Sequence, residues 1–255
     1  MANAPLSLSQ IQERIRDEHL DELLQLWWAE QGDEKRRDLD LIATAIPFSR
    51  DESLRVLDMC CGPGDVGRII RSRFPKARID CVDRDLFLLA LCIGMNRRQG
   101  VPGQTFVRDL WNADWYSGMP RDYDAVATAN ALHWFDGQRV AQLFVDVFRL
   151  LRSGGVFLFV EPARAEERFA EGFGEWKAKQ PRRYDPQKWE RFWSRANALL
   201  GYDHTKLLGS RDPHLIGDDG LSALDWVRLL ENAGFESIDV LLRDADEVIV
   251  ACSKP

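Results

Sequence analysis

The sequence is short of several features that would fix a class at once. No apolar run approaches the ~18 residues of a membrane-spanning helix. The opening MANAPLSLSQ has neither the basic stretch nor the apolar core of a secretory leader. Basic charge is not in excess: 34 Lys and Arg stand against 41 Asp and Glu, a net charge of −7. Nothing here draws a polyanion in general, so nucleic acid is not expected as a partner. The five cysteines are odd in number, Cys60 and Cys61 are adjacent, and no CxxC pair occurs. That set makes no disulfide framework and points to a reducing compartment. His19, His204 and His214 show no metal-ligand spacing, and no carboxylate cluster supports a bound metal. Repeats and low-complexity tracts are absent. A soluble, cytoplasmic protein with no membrane partner is the expectation.

What is present is ordinary globular composition, 45% hydrophobic and 29% charged, over 255 residues. That length suits one large domain with an insertion. Residues 1–50 form an N-terminal helical cap. Ser7 or Ser9 caps a first helix, Leu20, Leu23, Leu24 and Trp27 make an apolar stripe, and Gly32-Asp33 breaks the chain. Leu39, Ile42 and Ile46 make a second stripe, closed by Pro47. From residue 54 short apolar runs at 54–58, 78–83, 104–108, 123–128 and 155–161 alternate with helical stretches at 64–73, 85–98 and 136–152. This βαβα order predicts an α/β fold with a parallel sheet and helices on both faces. Helix 222–233, stopped by Gly234, leads into strands at 237–242 and 247–252. The expected whole is a Rossmann-like, seven-stranded, mostly parallel sheet with an antiparallel terminal strand. It spans residues 51–162 and 221–255. Residues 163–220 hold Phe169, Phe173, Trp176, Tyr184, Trp189, Phe192, Trp193 and Tyr202, too aromatic for a disordered linker. They are expected to form a helical lid insertion over the carboxyl ends of the strands.

The most informative stretch is Val56-Leu57-Asp58-Met59-Cys60-Cys61-Gly62-Pro63-Gly64-Asp65-Val66-Gly67. A strand enters a glycine turn that opens a helix. Glycine admits positive φ and close approach of a ligand to the backbone, and the helix amino end offers unpaired N–H groups. Gly62, Gly64 and Gly67 formally fit the dinucleotide spacing G-x-G-x-x-G, which leaves an NAD-dependent oxidoreductase as one reading. Asp58 argues otherwise. A carboxylate four residues before the first glycine repels a pyrophosphate and attracts a cationic ammonium.

The turn resembles motif I, D-x-G-x-G-x-G, of the class I S-adenosylmethionine-dependent methyltransferases, with Cys60 in place of the first glycine. The resemblance extends over residues 54–161 through further motifs in order. It implies S-adenosylmethionine as cofactor, with Asp58, Cys60, Gly62 and Gly64 about its methionine end. It gives Asp83, at the end of the second strand, the ribose hydroxyls, with Asp85 as helix cap and Arg84 able to lie against adenine. It gives Asp109 the adenine amino group and the Leu110 N–H a ring nitrogen. Asn130, at the end of the fourth strand, is expected near the sulfonium.

His133 and Trp134 are expected on the substrate side, as the candidate catalytic pair. Leu132-His133-Trp134 is similar to a segment of several small-molecule carboxyl methyltransferases, among them the trans-aconitate, malonyl-acyl-carrier-protein, juvenile-hormone-acid and plant SABATH types. No Asn-Pro-Pro-Tyr occurs, so the usual adenine- and glutamine-methylating signature is missing. Methyl transfer is mainly a matter of alignment. A carboxylate is already ionised at neutral pH, and the sequence shows no obvious general-base dyad, so a small carboxylic acid is the leading acceptor. The alternatives are a hydroxyl, amine or carbon acceptor with His133 as base, another chemistry on the same cofactor, or a non-catalytic cofactor-binding protein. Trp27, Trp28, Trp189 and Trp193 are core or pocket lining. The run Lys177–Arg183 is a solvated face or an attractor of anionic substrates.

Overall fold

The computed structural model describes residues 6–179, 186–204, 220–244 and 246–255. The chain opens with α1 (Leu8–Arg14) and α2 (Asp17–Ala45). Ser7 caps α1 in a reciprocal box with Gln10. The expected break at Gly32 is present: at φ 67° and ψ 179° Gly32 is non-helical and divides α2 into two helical halves across a kink. A further break falls at Ile15-Arg16. Leu20, Leu23 and Leu24 are buried on one side of that kink, and Leu39, Ile42 and Ile46 on the other.

The alternating part is β1 (Arg55–Met59), α3 (Asp65–Arg73), β2 (Arg78–Asp83), α4 (Leu86–Gln99), β3 (Thr105–Val107), β4 (Tyr123–Ala129), α5 (Gly137–Leu150) and β5 (Leu151–Pro162). Next come α6 (Ala170–Lys177), α7 (Pro186–Leu200), α8 (Ala223–Ala233), β6 (Glu236–Asp244) and β7 (Glu247–Ser253). The sheet order is β3-β2-β1-β4-β5-β7-β6. β1 to β5 run parallel, and β7 lies antiparallel between β5 and β6. β5 begins at Leu151, four residues before the expected start. Leu151 pairs with Tyr123, and a register shift follows between Tyr123 and Ala125.

Both sheet faces are covered, so the inner strands are apolar on alternate residues toward each side. Leu57 and Met59 join a core with α5 and α8 that includes Phe144, Phe157, Phe159 and Trp226. Val56 faces Ile70, Ile79 and Cys92 on the side of α3 and α4. The order reverses between β1 and β4. At such a switch point the strands' carboxyl ends open a crevice, which is where ligands bind in sheets of this kind.

Part of the aromatic insertion is core. Phe192, Trp193, Ala196 and Leu200 of α7 are buried against Leu20, Leu23, Leu24 and Phe87. Arg195 grips Glu22 through two 2.7 Å hydrogen bonds. By contrast, Phe169 and Trp176, in and before α6, stay exposed.

Candidate active site

The turn after β1 is built from left-handed backbone. Cys60 has φ 53°, Gly62 φ 51° and Gly64 φ 87°. At Gly64 an added Cβ would also meet Cys92 Sγ at 2.8 Å. Cys60, at the first-glycine position, holds a conformation that costs a side chain some strain. Among the described residues only the edge of the Trp27 ring, at 3.9 Å, would touch a Cβ at Gly62, so a ligand can approach the backbone closely there.

Three acids at or beside strand ends tie the crevice together. Asp58 is fully buried, and its Oδ2 accepts the Gly67 N–H at 2.8 Å. Its Oδ1 is buried without a partner. Burial pushes the Asp58 carboxyl well above its ordinary range, with the Cys81 thiol beside it adding to the effect. The side chain is sealed, and what it holds directly is the first turn of α3. Asp83 is only partly buried. Its Oδ2 accepts the Gly62 N–H and its Oδ1 the Asp85 N–H, both at 2.8 Å. Burial raises it to about 6, against the lowering effect of those backbone bonds. Asp85 caps α4 through the Phe87 and Leu88 N–H groups, so Asp83 is free of that task.

The adenine-side candidates lie together. Asp109 Oδ2 faces Arg84 Nη1 at 3.3 Å, while Oδ1 accepts the Trp111 N–H. Arg84 therefore pairs with a carboxylate. Leu110 is buried, its carbonyl accepts from Arg139 Nε, and its own N–H has no backbone partner among the described residues.

Past β4 the chain turns sharply. Asn130 has φ 51°. With its amide assigned by hydrogen bonding, its nitrogen donates to the Val160 carbonyl at 3.3 Å and its oxygen accepts from Lys35 Nζ at 2.6 Å. Glu161, fully buried at the end of β5, organises the next three residues. Its Oε1 accepts the Ala131 and Leu132 N–H groups, both at 2.7 Å. Its Oε2 accepts the His133 N–H at 3.3 Å and lies 2.8 Å from His133 Nδ1. This holds the short turn Leu132–Trp134 and leaves imidazole Nε2 without a hydrogen bond among the described residues. Trp134 lies beside that ring, centroid to centroid 5.0 Å, and is 44% exposed. The sequence showed no paired base; the structure sets the Glu161 carboxylate against the His133 ring.

Neither Glu161 nor Lys35 stands out in the sequence. The available signal for Glu161 is an acid closing an apolar strand, as Asp58 and Asp83 do. Lys35 carries no such mark. Trp27 and Trp28 are also placed here: their indole N–H groups donate to the two oxygens of Asp65 at 2.6 and 2.8 Å. They clamp α2 onto the glycine turn and act neither as plain core nor as bare lining. Trp189 and Trp193 pack in the core with α2 and α4. His214, Tyr184 and the end of the basic run at 180–183 lie outside the described residues. Among the described residues no helix is long and apolar enough to cross a membrane.

The fold is an open α/β sheet with a glycine turn and a row of acids at the carboxyl ends of β1 and β2, beside its switch point. Residues 56–155 match a family described as a methyltransferase domain. These residues support a class I S-adenosylmethionine-dependent methyltransferase domain, with S-adenosylmethionine as cofactor. Trans-aconitate 2-methyltransferases from Variovorax paradoxus and Paracidovorax citrulli are 30% and 29% identical over 138 and 137 residues, each match covering 53% of this chain. The matches cover 48% of each relative, so about half the length of these curated relatives is matched. An O-methyltransferase family protein from Burkholderia thailandensis superposes with a TM-score of 0.59 over 98% of this chain and 64% of its own, at 14% identity. Human N-acetylserotonin methyltransferase in complex with the cofactor gives 0.58 over 92% and 56%, at 16% identity.

The residues present fit the cofactor. The backbone at Gly62 is open to close approach, Asp83 keeps acceptor capacity beyond its two backbone bonds, and the Leu110 N–H is a donor without a backbone partner among the described residues.

Proposed function

We propose that this chain methylates a small molecule at an atom that carries a proton, with His133 as general base and Glu161 holding it. Bound S-adenosylmethionine supplies a methyl group on a positively charged sulfur. In this reading Asp83 takes the ribose hydroxyls, and Asp109 and the Leu110 N–H read the adenine, with Arg84 beside them. Gly62, Gly64 and Cys60 shape the turn along the methionine end. Asp58 stiffens that turn from behind, and Asn130 closes it beside Lys35.

The observation that carries the proposal is the 2.8 Å contact of Glu161 Oε2 with His133 Nδ1. Oε2 is an acceptor, so the proton sits on Nδ1 and the lone pair on Nε2. Nε2 can then take a proton from an acceptor hydroxyl or amine, and the buried carboxylate offsets the charge the imidazole gains. Trp134 beside the ring gives an apolar edge to the acceptor's place.

A second reading is favoured by the similarity to trans-aconitate 2-methyltransferases. Here the acceptor is a carboxylate, Trp134 donates its indole N–H to one carboxylate oxygen, and His133 positions the substrate. One experiment separates the two. Acceptors found by screening acids, phenols, alcohols and amines with labelled cofactor are assayed across pH with wild type and His133→Ala. Base catalysis predicts a fall in kcat of about 10²–10⁴ in the variant and a wild-type rate that declines on the acid side. A variant that raises KM and leaves kcat and the pH profile intact refutes the base role.

A further inference from the structure

Behind the glycine turn, away from His133, lies a group of side chains that methyl transfer does not use. Cys61 in the turn, Cys81 on β2 and Cys92 on α4 bring their sulfurs within 4.8 Å of one another, all three buried. They come from three separate elements, so the fold and no local motif assembles them. Asn96, one turn beyond Cys92, donates its amide to both Cys81 Sγ (3.6 Å) and Cys92 Sγ (3.5 Å). A donor aimed at two sulfurs suits negative charge on them. Asp58 pairs in register with Cys81, so it projects from the same sheet face, and its unpartnered Oδ1 is sealed there.

We propose that Cys61, Cys81 and Cys92 form a three-sulfur site for a soft monovalent cation, cuprous copper. Thiolates select soft ions. A metal–sulfur bond of about 2.3 Å in a trigonal plane sets the sulfurs about 4 Å apart, inside the separation found here. Zinc fits less well, because its structural sites take four ligands. The polar neighbours at the sulfurs are the Asn96 amide, which donates, and the Gly62 carbonyl, which accepts from Cys61 Sγ at 3.4 Å.

When Cu(I) enters, copper–sulfur bonds form to all three sulfurs, the S–H bond of each thiol that becomes a thiolate ligand breaks and its proton passes to solvent, and copper does not change oxidation state.

The test is an anaerobic titration of the reduced full-length chain with Cu(I) against a coloured Cu(I) chelator. One equivalent should pass to the protein with release of protons, and X-ray absorption should show a shell of three sulfurs. Cys61→Ser, Cys81→Ser and Cys92→Ser should each weaken binding by at least about tenfold, while Cys252→Ser leaves it unchanged. Where a serine variant does not fold, the wild-type sulfur count decides alone. Two sulfurs in place of three, loss of binding in Cys60→Ser, no uptake of copper, or zinc held equally tightly with an oxygen ligand would each overturn the proposal.

Discussion

Replacing Glu161 with glutamine changes one atom of a buried side chain and asks whether that carboxylate sets the state of His133. The carboxylate accepts three backbone N–H groups, from Ala131, Leu132 and His133, and one ring N–H. A glutamine keeps one acceptor oxygen. With that oxygen on Ala131 and Leu132, where both distances are 2.7 Å, the new amide NH₂ faces His133. It meets the His133 N–H unfavourably and donates to Nδ1. The imidazole must then carry its proton on Nε2, where the lone pair was. The His133 backbone bond is lost and the ring bond is reversed and made neutral; hydrogen bonds to a charged group are worth about 1.5–3 kcal/mol each, partly offset because the buried charge goes too. A net destabilisation of roughly 2–4 kcal/mol is expected. Nitrogen-15 spectra of labelled histidine read the tautomer without any substrate. Wild type should show the proton on Nδ1 and the variant on Nε2. With an acceptor in hand, kcat should fall by about 10²–10⁴. The same tautomer in both proteins, or an unchanged kcat in a folded variant, refutes the reasoning.

Asp83→Ala should weaken binding of S-adenosylhomocysteine by at least about tenfold, since two ribose hydroxyls lose a charged acceptor; calorimetry checks it, and NAD should not bind wild type. Because burial raises Asp83 to about 6, cofactor binding should weaken as pH falls through that value, and at pH 6 about half a proton should be released per ligand bound. The sign for stability is opposite: between 3.8 and about 6 the folded chain holds more of this proton than the unfolded one, so Asp83's contribution to stability falls as pH rises through that window, measurable by denaturant titration. Gly64→Ala places a side chain at φ 87° and 2.8 Å from Cys92 Sγ; a loss of about 1–3 kcal/mol should appear in the same titration, with weaker cofactor binding. Asp65→Ala removes the acceptor of both the Trp27 and Trp28 indoles; limited proteolysis within α2 should quicken, and unchanged cleavage would show that the clamp does not hold the helix.

The sheet was legible because each strand writes its position locally. β1, β2 and β4 are apolar runs ended by an acid or a polar turn, and Asp58, Gly62, Gly64 and Asp83 fall at those ends in order. The boundaries of β5 were not, since Leu151 joins the sheet through a register shift with Tyr123 that no local pattern marks. Gly32 was legible as a break because glycine admits the positive φ found there, and the apolar stripes on its two sides pack into different cores. The site was half legible. His133 and Trp134 stand in a recognisable segment, but the partner of His133 comes from 28 residues further along, and only the pairing of β4 with β5 brings it there. Lys35 and the Trp27–Asp65 contact depend on how α2 lies across the turn. The three sulfurs that meet behind it lie at positions 61, 81 and 92 with no metal-site spacing.

The most direct measurement is a crystal structure with S-adenosylhomocysteine bound. The ribose hydroxyls should lie on Asp83 and the adenine beside Asp109 and Leu110. The sulfur should face His133 Nε2 across a gap where an acceptor atom fits about 3–3.5 Å from the transferred carbon. A ribose remote from Asp83, or a sulfur walled off from His133, would contradict the proposed site.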